Sequence, residues 1–191
     1  TFTTENRPYE SDTDSPVLLI RGLVFDGNSS AQGAYQSHQL EQAHLVFLTG
    51  SPKRAGRLFS VVDDVEFRNG VGDGLSLFTN TTTRVTNVRG RNMFRGVVTL
   101  TGGAAQLDVD GVTTTATTDS TGIDVEVDGP GYKNSLAVQV KLRNLELDGY
   151  FDVAVADGSV VDVRSVVAKR GPFFVSNYRS TMTVADSSFV I

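Results

Sequence analysis

Apolar and polar residues alternate along this chain in short bursts, and the bursts recur. The recurring unit reads apolar, any, small or polar, apolar, any, apolar or small. It stands at Ile20–Phe25, Val62–Phe67, Val85–Gly90, Val109–Thr114, Leu142–Leu147, Val163–Ala168 and Val184–Phe189. The first positions of successive copies lie 42, 23, 24, 33, 21 and 21 residues apart, and each of the two long gaps contains a polar insertion. Repetition at a fixed period marks a repeat architecture, in which each unit buries its apolar face only against its neighbours.

The third column of the unit is the informative one. It holds Gly22, Asp64, Asn87, Gly111, Asn144, Ser165 and Asp186. Gly, Asn and Asp adopt a left-handed backbone at the least steric cost. Strict alternation would keep one straight strand. Here alternation breaks at that column and resumes after it, which predicts a bend joining two short strands in different sheets. A further strand follows each bend, at Leu45–Leu48, Leu75–Leu77, Val98–Leu100, Ile123–Val127, Val153–Val155 and Phe173–Val175. Each ends on turn residues such as Thr79-Asn80, Gly102-Gly103 or Asp157-Gly158. Three short strands per coil predict an all-β parallel β-helix of about seven coils of 21–24 residues, spanning 17–191. At about 4.8 Å per coil the rod is roughly 30 Å long. The competing architecture is an antiparallel sandwich, which does not require the same bend residue in every copy.

Composition narrows the function classes. A chain of 191 residues is long enough for one domain with a sizeable core, and the absence of Cys excludes disulfides and thiolate metal sites. The net charge of −5 is spread along the chain, without the basic stripe a nucleic-acid surface needs. No apolar run is long enough to span a membrane. Residues 1–16 are polar, carry two prolines and read as an extended lead-in.

Ile20-Arg21-Gly22-Leu23-Val24-Phe25-Asp26-Gly27-Asn28 resembles an opening coil of the pectin-lyase-like β-helix superfamily, and Phe67-Arg68-Asn69-Gly70-Val71-Gly72-Asp73-Gly74-Leu75 resembles a later coil of the same proteins. The resemblance covers residues 17–191 as a pattern. It implies a right-handed parallel β-helix and a glycan ligand, with bacteriophage tailspike domains the nearest in character. The paired-carboxylate motifs of polygalacturonases and the clustered acidic calcium site of pectate lyases are not found in the sequence. A tailspike likeness further implies an extracellular or virion-surface location and a homo-oligomer, a trimer, or further domains that cap the ends of the rod. The apolar ending Phe189-Val190-Ile191, in mid-coil, carries the same expectation of a segment of a longer chain.

Candidate chemistry gathers on the turn edge from which the first insertion, residues 29–44, emerges. Loops leaving a rigid scaffold commonly carry binding. That insertion holds Tyr35 and both histidines, His38 and His44. Tyr35 and His38 are candidate ligand-binding residues. His44, directly before a strand, reads better as part of a short helix near 39–44 packed on the rod. Asp73, between two glycines in the turn one coil on, is a candidate acid/base exposed beside that loop; it also reads as a turn carboxylate capping backbone amides. Arg91 and Arg95 occupy the corresponding turn of the next coil and suit an acidic polysaccharide, because guanidinium pairs well with carboxylate. Glycoside hydrolysis needs two carboxyls about 5–10 Å apart. Outward positions offer Asp63, Asp64 and Glu66 in one coil and Asp124, Glu126 and Asp128 in another. Asp73, Asp64 and Glu66 are therefore the catalytic candidates. No cofactor and no metal site is expected.

The function expected is a polysaccharide-recognising, depolymerising surface protein that neither binds nucleic acid nor inserts in membranes. A free-standing polysaccharide lyase, hydrolase or epimerase, and a non-catalytic rod or adhesin, are the alternatives.

Overall fold

The computed structural model describes residues 17–31, 43–50, 57–115, 121–126, 137–155, 158–170, 172–176 and 180–190. The repeat builds two parallel sheets that face each other across one core. In the first, the long strands run side by side in the order β1 (Val17–Arg21), β4 (Leu58–Asp63), β7 (Thr81–Arg91), β9 (Gln106–Thr115), β11 (Gln139–Leu147), β13 (Val160–Ala168) and β15 (Thr181–Ala185). The short strands β2 (Val24–Asp26), β5 (Glu66–Arg68) and β16 (Ser188–Phe189) complete this ten-stranded sheet. The second sheet contains β3 (Val46–Leu48), β6 (Leu75–Leu77), β8 (Val98–Thr101), β10 (Thr121–Glu126), β12 (Tyr150–Val155) and β14 (Pro172–Ser176). The chain is an all-β parallel β-solenoid, as the repeat predicts.

Register follows the repeat residue by residue. Ile20, Val62, Val85, Val109, Leu142, Val163 and Val184, the first positions of the seven units, pair in succession across the long sheet. Stacking like on like gives each apolar column an unbroken contact surface. Across the core, Leu48, Leu77, Leu100, Val125 and Val153 form the facing column of the second sheet. From Val62 to Val163 these core residues have essentially no exposed surface. Burying each such side chain contributes about 1.5–3 kcal/mol.

All seven residues of the third column have positive φ: Gly22 64°, Asp64 50°, Asn87 52°, Gly111 84°, Asn144 55°, Ser165 54° and Asp186 50°. The left-handed residue allows two successive side chains to face outward, as at Thr86 and Asn87 in β7, after which alternation resumes. Two expectations are corrected here. The bend does not send its flanking strands into different sheets: β7, β9, β11 and β13 pair within one sheet on both sides of it, skipping only the bend residue, so each coil contributes to two sheets rather than three. The solenoid also has about four full turns rather than seven. Only the coils on β7, β9, β11 and β13 carry one unbroken long strand. Elsewhere the strand splits at the left-handed residue, into β1 and β2, β4 and β5, and β15 and β16.

A polar ladder ties the turns after the bend. Asp26 receives Arg68 Nε at 2.8 Å, Asn69 Nδ2 at 3.1 Å and the Asn28 backbone N–H at 2.9 Å. Asn69 accepts in turn from Asn92 Nδ2 at 2.9 Å. These bonds, the Asn28 amide foremost, hold the Asp26 carboxyl below its ordinary value.

Candidate functional site

Inward positions of the second sheet are uniformly apolar, so its outward positions are where chemistry can sit. One outward column runs Ser76, Thr99, Asp124 and Asp152, adjacent in register on β6, β8, β10 and β12. Ser76 and Thr99 are buried although they face out of the core. The carboxyls of Asp124 and Asp152 are half-buried, on neighbouring strands whose spacing is about 4.8 Å. Glu126 lies two residues beyond Asp124 on the same face and is exposed.

Two carboxylates so placed cannot both ionise cheaply. Burial, then the charges of Asp152, Glu126 and Asp73, pushes Asp124 up to about 7, against the opposing pull of Arg95. Burial and Glu126 raise Asp152 as well. Burial thus favours the neutral form of both carboxyls, and the charge of Asp152 adds to it at Asp124. Thr99 Oγ1 and Asp152 Oδ1 are buried with no hydrogen-bond partner among the described residues. Buried polar atoms are ordinarily satisfied, so these two mark a place where a ligand group or water completes the bonding.

Asp73 stands beside this column, in the turn that leads into β6. It is 1% exposed, not exposed as its loop position suggests. Its Oδ2 lies 3.0 Å from His44 Nδ1, its Oδ1 accepts the Gly96 backbone N–H at 3.1 Å, and Arg95 Nε lies 3.6 Å away. Gly72 makes this arrangement possible. A Cβ there would stand 2.6 Å from the Ala43 carbonyl carbon and 3.0 Å from the His44 nitrogen. The backbone at 43–44 thus lies directly on the turn, fixed by Leu45 N–H donating to Asp73 O at 2.9 Å. The His44 ring stacks on Phe47 with centroids 5.7 Å apart. His44 itself lies in neither a helix nor a strand, and it pairs with the candidate carboxylate as well as packing.

The remaining candidates do not converge on Asp73. Asp64 and Glu66 lie on the long sheet. Asp64 is exposed, in the left-handed bend, with Arg89 Nη2 at 3.1 Å, and Glu66 stands 3.8 Å from Arg68. Their neighbour Asp63 bonds Thr86 and Arg21, and the Thr86 hydroxyl foremost lowers its pKa. These carboxylates are ladder elements of the long sheet, not an acid/base pair with Asp73. Arg91 closes β7 in register with Arg68 and Thr115, away from the turn where Arg95 sits. Tyr35, His38 and Asp128 lie outside the described residues, as do the expected helix and most of the second insertion.

Sequence reasoning reached Asp124 and Glu126 as outward carboxyls but passed over Asp152 and His44. A signal for Asp152 exists: Ile123-Asp124-Val125 and Phe151-Asp152-Val153 place Asp in the same slot of successive coils. Nothing local marks His44. Among the described residues no three His, Asp or Glu side chains converge to hold a metal ion, and no helix is long and apolar enough to cross a membrane.

No protein-family model, no curated protein and no solved structure matches the chain. The fold and the geometry of its polar site are the grounds on which function is argued.

Proposed function

We propose that this chain is a polysaccharide-recognising and depolymerising β-helical domain, similar in character to bacteriophage tailspikes and, more broadly, to the pectin-lyase-like superfamily. The observation that carries the reading is the Asp124–Asp152 pair: two in-register carboxyls on the outer face of the second sheet, both raised by burial, Asp124 to about 7. Adjacent rungs stand about 5 Å apart, the separation of the acid and the nucleophile in retaining glycoside hydrolysis.

In this reading Asp124 donates its proton to the glycosidic oxygen while the Asp152 carboxylate attacks the anomeric carbon. The C–O bond to the leaving sugar breaks and a glycosyl ester forms on Asp152. Water, deprotonated by the now ionised Asp124, then attacks the same carbon, releasing Asp152 and returning the proton to Asp124. The charge of Asp73 adds a smaller upward push on Asp124 after burial, Asp152 and Glu126, and Arg95 opposes it. The tailspike likeness carries with it a virion or extracellular surface location and a trimeric assembly.

The test is incubation with a panel of neutral and acidic bacterial polysaccharides, following both new reducing ends and the absorbance of unsaturated uronate. The expected result is reducing ends without unsaturated product, reduced about a hundredfold or more in Asp124→Asn and in Asp152→Asn. Unsaturated product would replace hydrolysis by lyase elimination. Binding without cleavage in the wild-type chain would make the domain an adhesin or rod and overturn the catalytic assignment.

A further inference from the structure

We infer that the outer face of the long sheet carries a second, non-catalytic site that binds a glycan bearing carboxylate groups. This site is separate from the carboxyl pair and does not depend on the proposed cleavage. Two outward columns border it. One runs Phe59, Thr82, Gln106 and Gln139 in register, and the other runs Val61, Arg84, Asp108 and Lys141. Between them lies a groove of about 390 Å³.

The charges in the groove are not balanced. Arg84 and Lys141 are both exposed, and among the described residues neither is in an ion pair. Asp108 sits between them in register, but its carboxylate is held by Arg143 on the far side of the column. The groove thus presents two cations two rungs apart, about 10 Å. Their natural counterions are carboxylates spaced along an extended ligand, since guanidinium and ammonium groups both pair with carboxylate.

Neutral features of the groove select a sugar as the carrier of those charges. Thr82 Oγ1 is buried with no hydrogen-bond partner among the described residues. Gln106 Nε2 reaches Gln139 Oε1 only at a long 3.5 Å, so the amide pair retains hydrogen-bonding capacity for hydroxyls. Phe59, 39% exposed, offers its ring to the apolar face of a pyranose. Two cations are too few for a phosphate backbone, which is met by a basic stripe.

The experiment is titration of the full chain with oligogalacturonate, with the neutral oligogalactose of equal length, and with a single-stranded oligonucleotide, each in low and high salt. The structure predicts binding of oligogalacturonate alone, weakened by salt. Arg84→Gln and Lys141→Gln each weaken it about tenfold, the double variant removes it, and Phe59→Ala weakens it at either salt. Cleavage at the second sheet stays unchanged in all of these variants, which separates failure of this site from failure of the carboxyl pair. Equal binding of the neutral sugar, preference for the oligonucleotide, absence of oligogalacturonate binding, or an unaffected double variant would each overturn the inference.

Discussion

Gly90 shows most directly how one position couples two faces of a coil. It occupies an inward slot of the long sheet, in register between Phe67 and Thr114, where the two preceding coils place Phe25 and Phe67. A Cβ at Gly90 would stand 2.2 Å from Val97 Cγ2 and 3.0 Å from Val97 Cγ1. Val97 fills the space from across the core and is itself fully buried. Gly90→Ala therefore forces overpacking, a cost of about 1–3 kcal/mol. Val97→Ala alone removes two buried methyl groups and leaves a void, a loss of about 2 kcal/mol. The two changes compensate, because the new Ala methyl enters the space the valine methyls vacate. Measured by denaturant unfolding, the double variant should be more stable than the sum of the singles by at least about 1 kcal/mol. Additive losses would refute the claim that Val97 is what requires glycine at position 90.

Three further outcomes follow from the same structure. The Asp124 carboxyl stays neutral in the folded chain up to about 7 but ionises near 3.8 when unfolded, so its stabilising contribution is full below the lower value and lost as pH rises toward the upper one. A gap of about three pH units at about 1.4 kcal/mol each sets a ceiling near 4 kcal/mol, and partial solvation halves it. Asp124→Asn should thus match wild type at acid pH and be more stable to unfolding at mildly alkaline pH by about 2 kcal/mol; an equal difference at both would refute the buried, neutral carboxyl. Asn144→Val forces a β-branched residue to φ 55° and breaks the 2.7 Å bond to Asp110, so unfolding experiments should show a loss of about 2 kcal/mol, while Asn144→Gly should cost less than half of that. Gly72→Val pushes the 43–44 backbone off its turn, so the His44 ring should lose its contact with Asp73; unchanged NMR chemical shifts of the His44 ring would contradict this.

The bend column was legible because steric cost at positive φ admits few residue types, and six of its seven positions are Gly, Asn or Asp. Only Ser165 departs from that set. Which strands share a sheet was less legible: hydrogen bonding across the bend depends on neighbouring coils, and one coil's sequence does not contain it. Arg95 was found beside Asp73 because both sit in the corresponding turn of successive coils, 22 residues apart. Asp64 and Glu66 looked equally acidic, but their slots face Arg89 and Arg68 on the other sheet. His44 reaches Asp73 only because the chain returns across an insertion and settles on Gly72, a contact between residues 29 positions apart with no periodic signal.

The proposed hydrolysis requires Asp124 to hold its proton near neutral pH beside Asp152. The direct measurement is an NMR titration of the chain with aspartate carboxyl carbons labelled, following Asp124 in wild type and in Asp152→Asn. The prediction is a midpoint at about 7 in wild type. In Asp152→Asn it falls but stays above 3.8, because removing the neighbouring charge leaves the burial in place. A midpoint in the ordinary carboxylate range in wild type, or one indifferent to Asp152, would contradict the pair and the acid–nucleophile roles built on it.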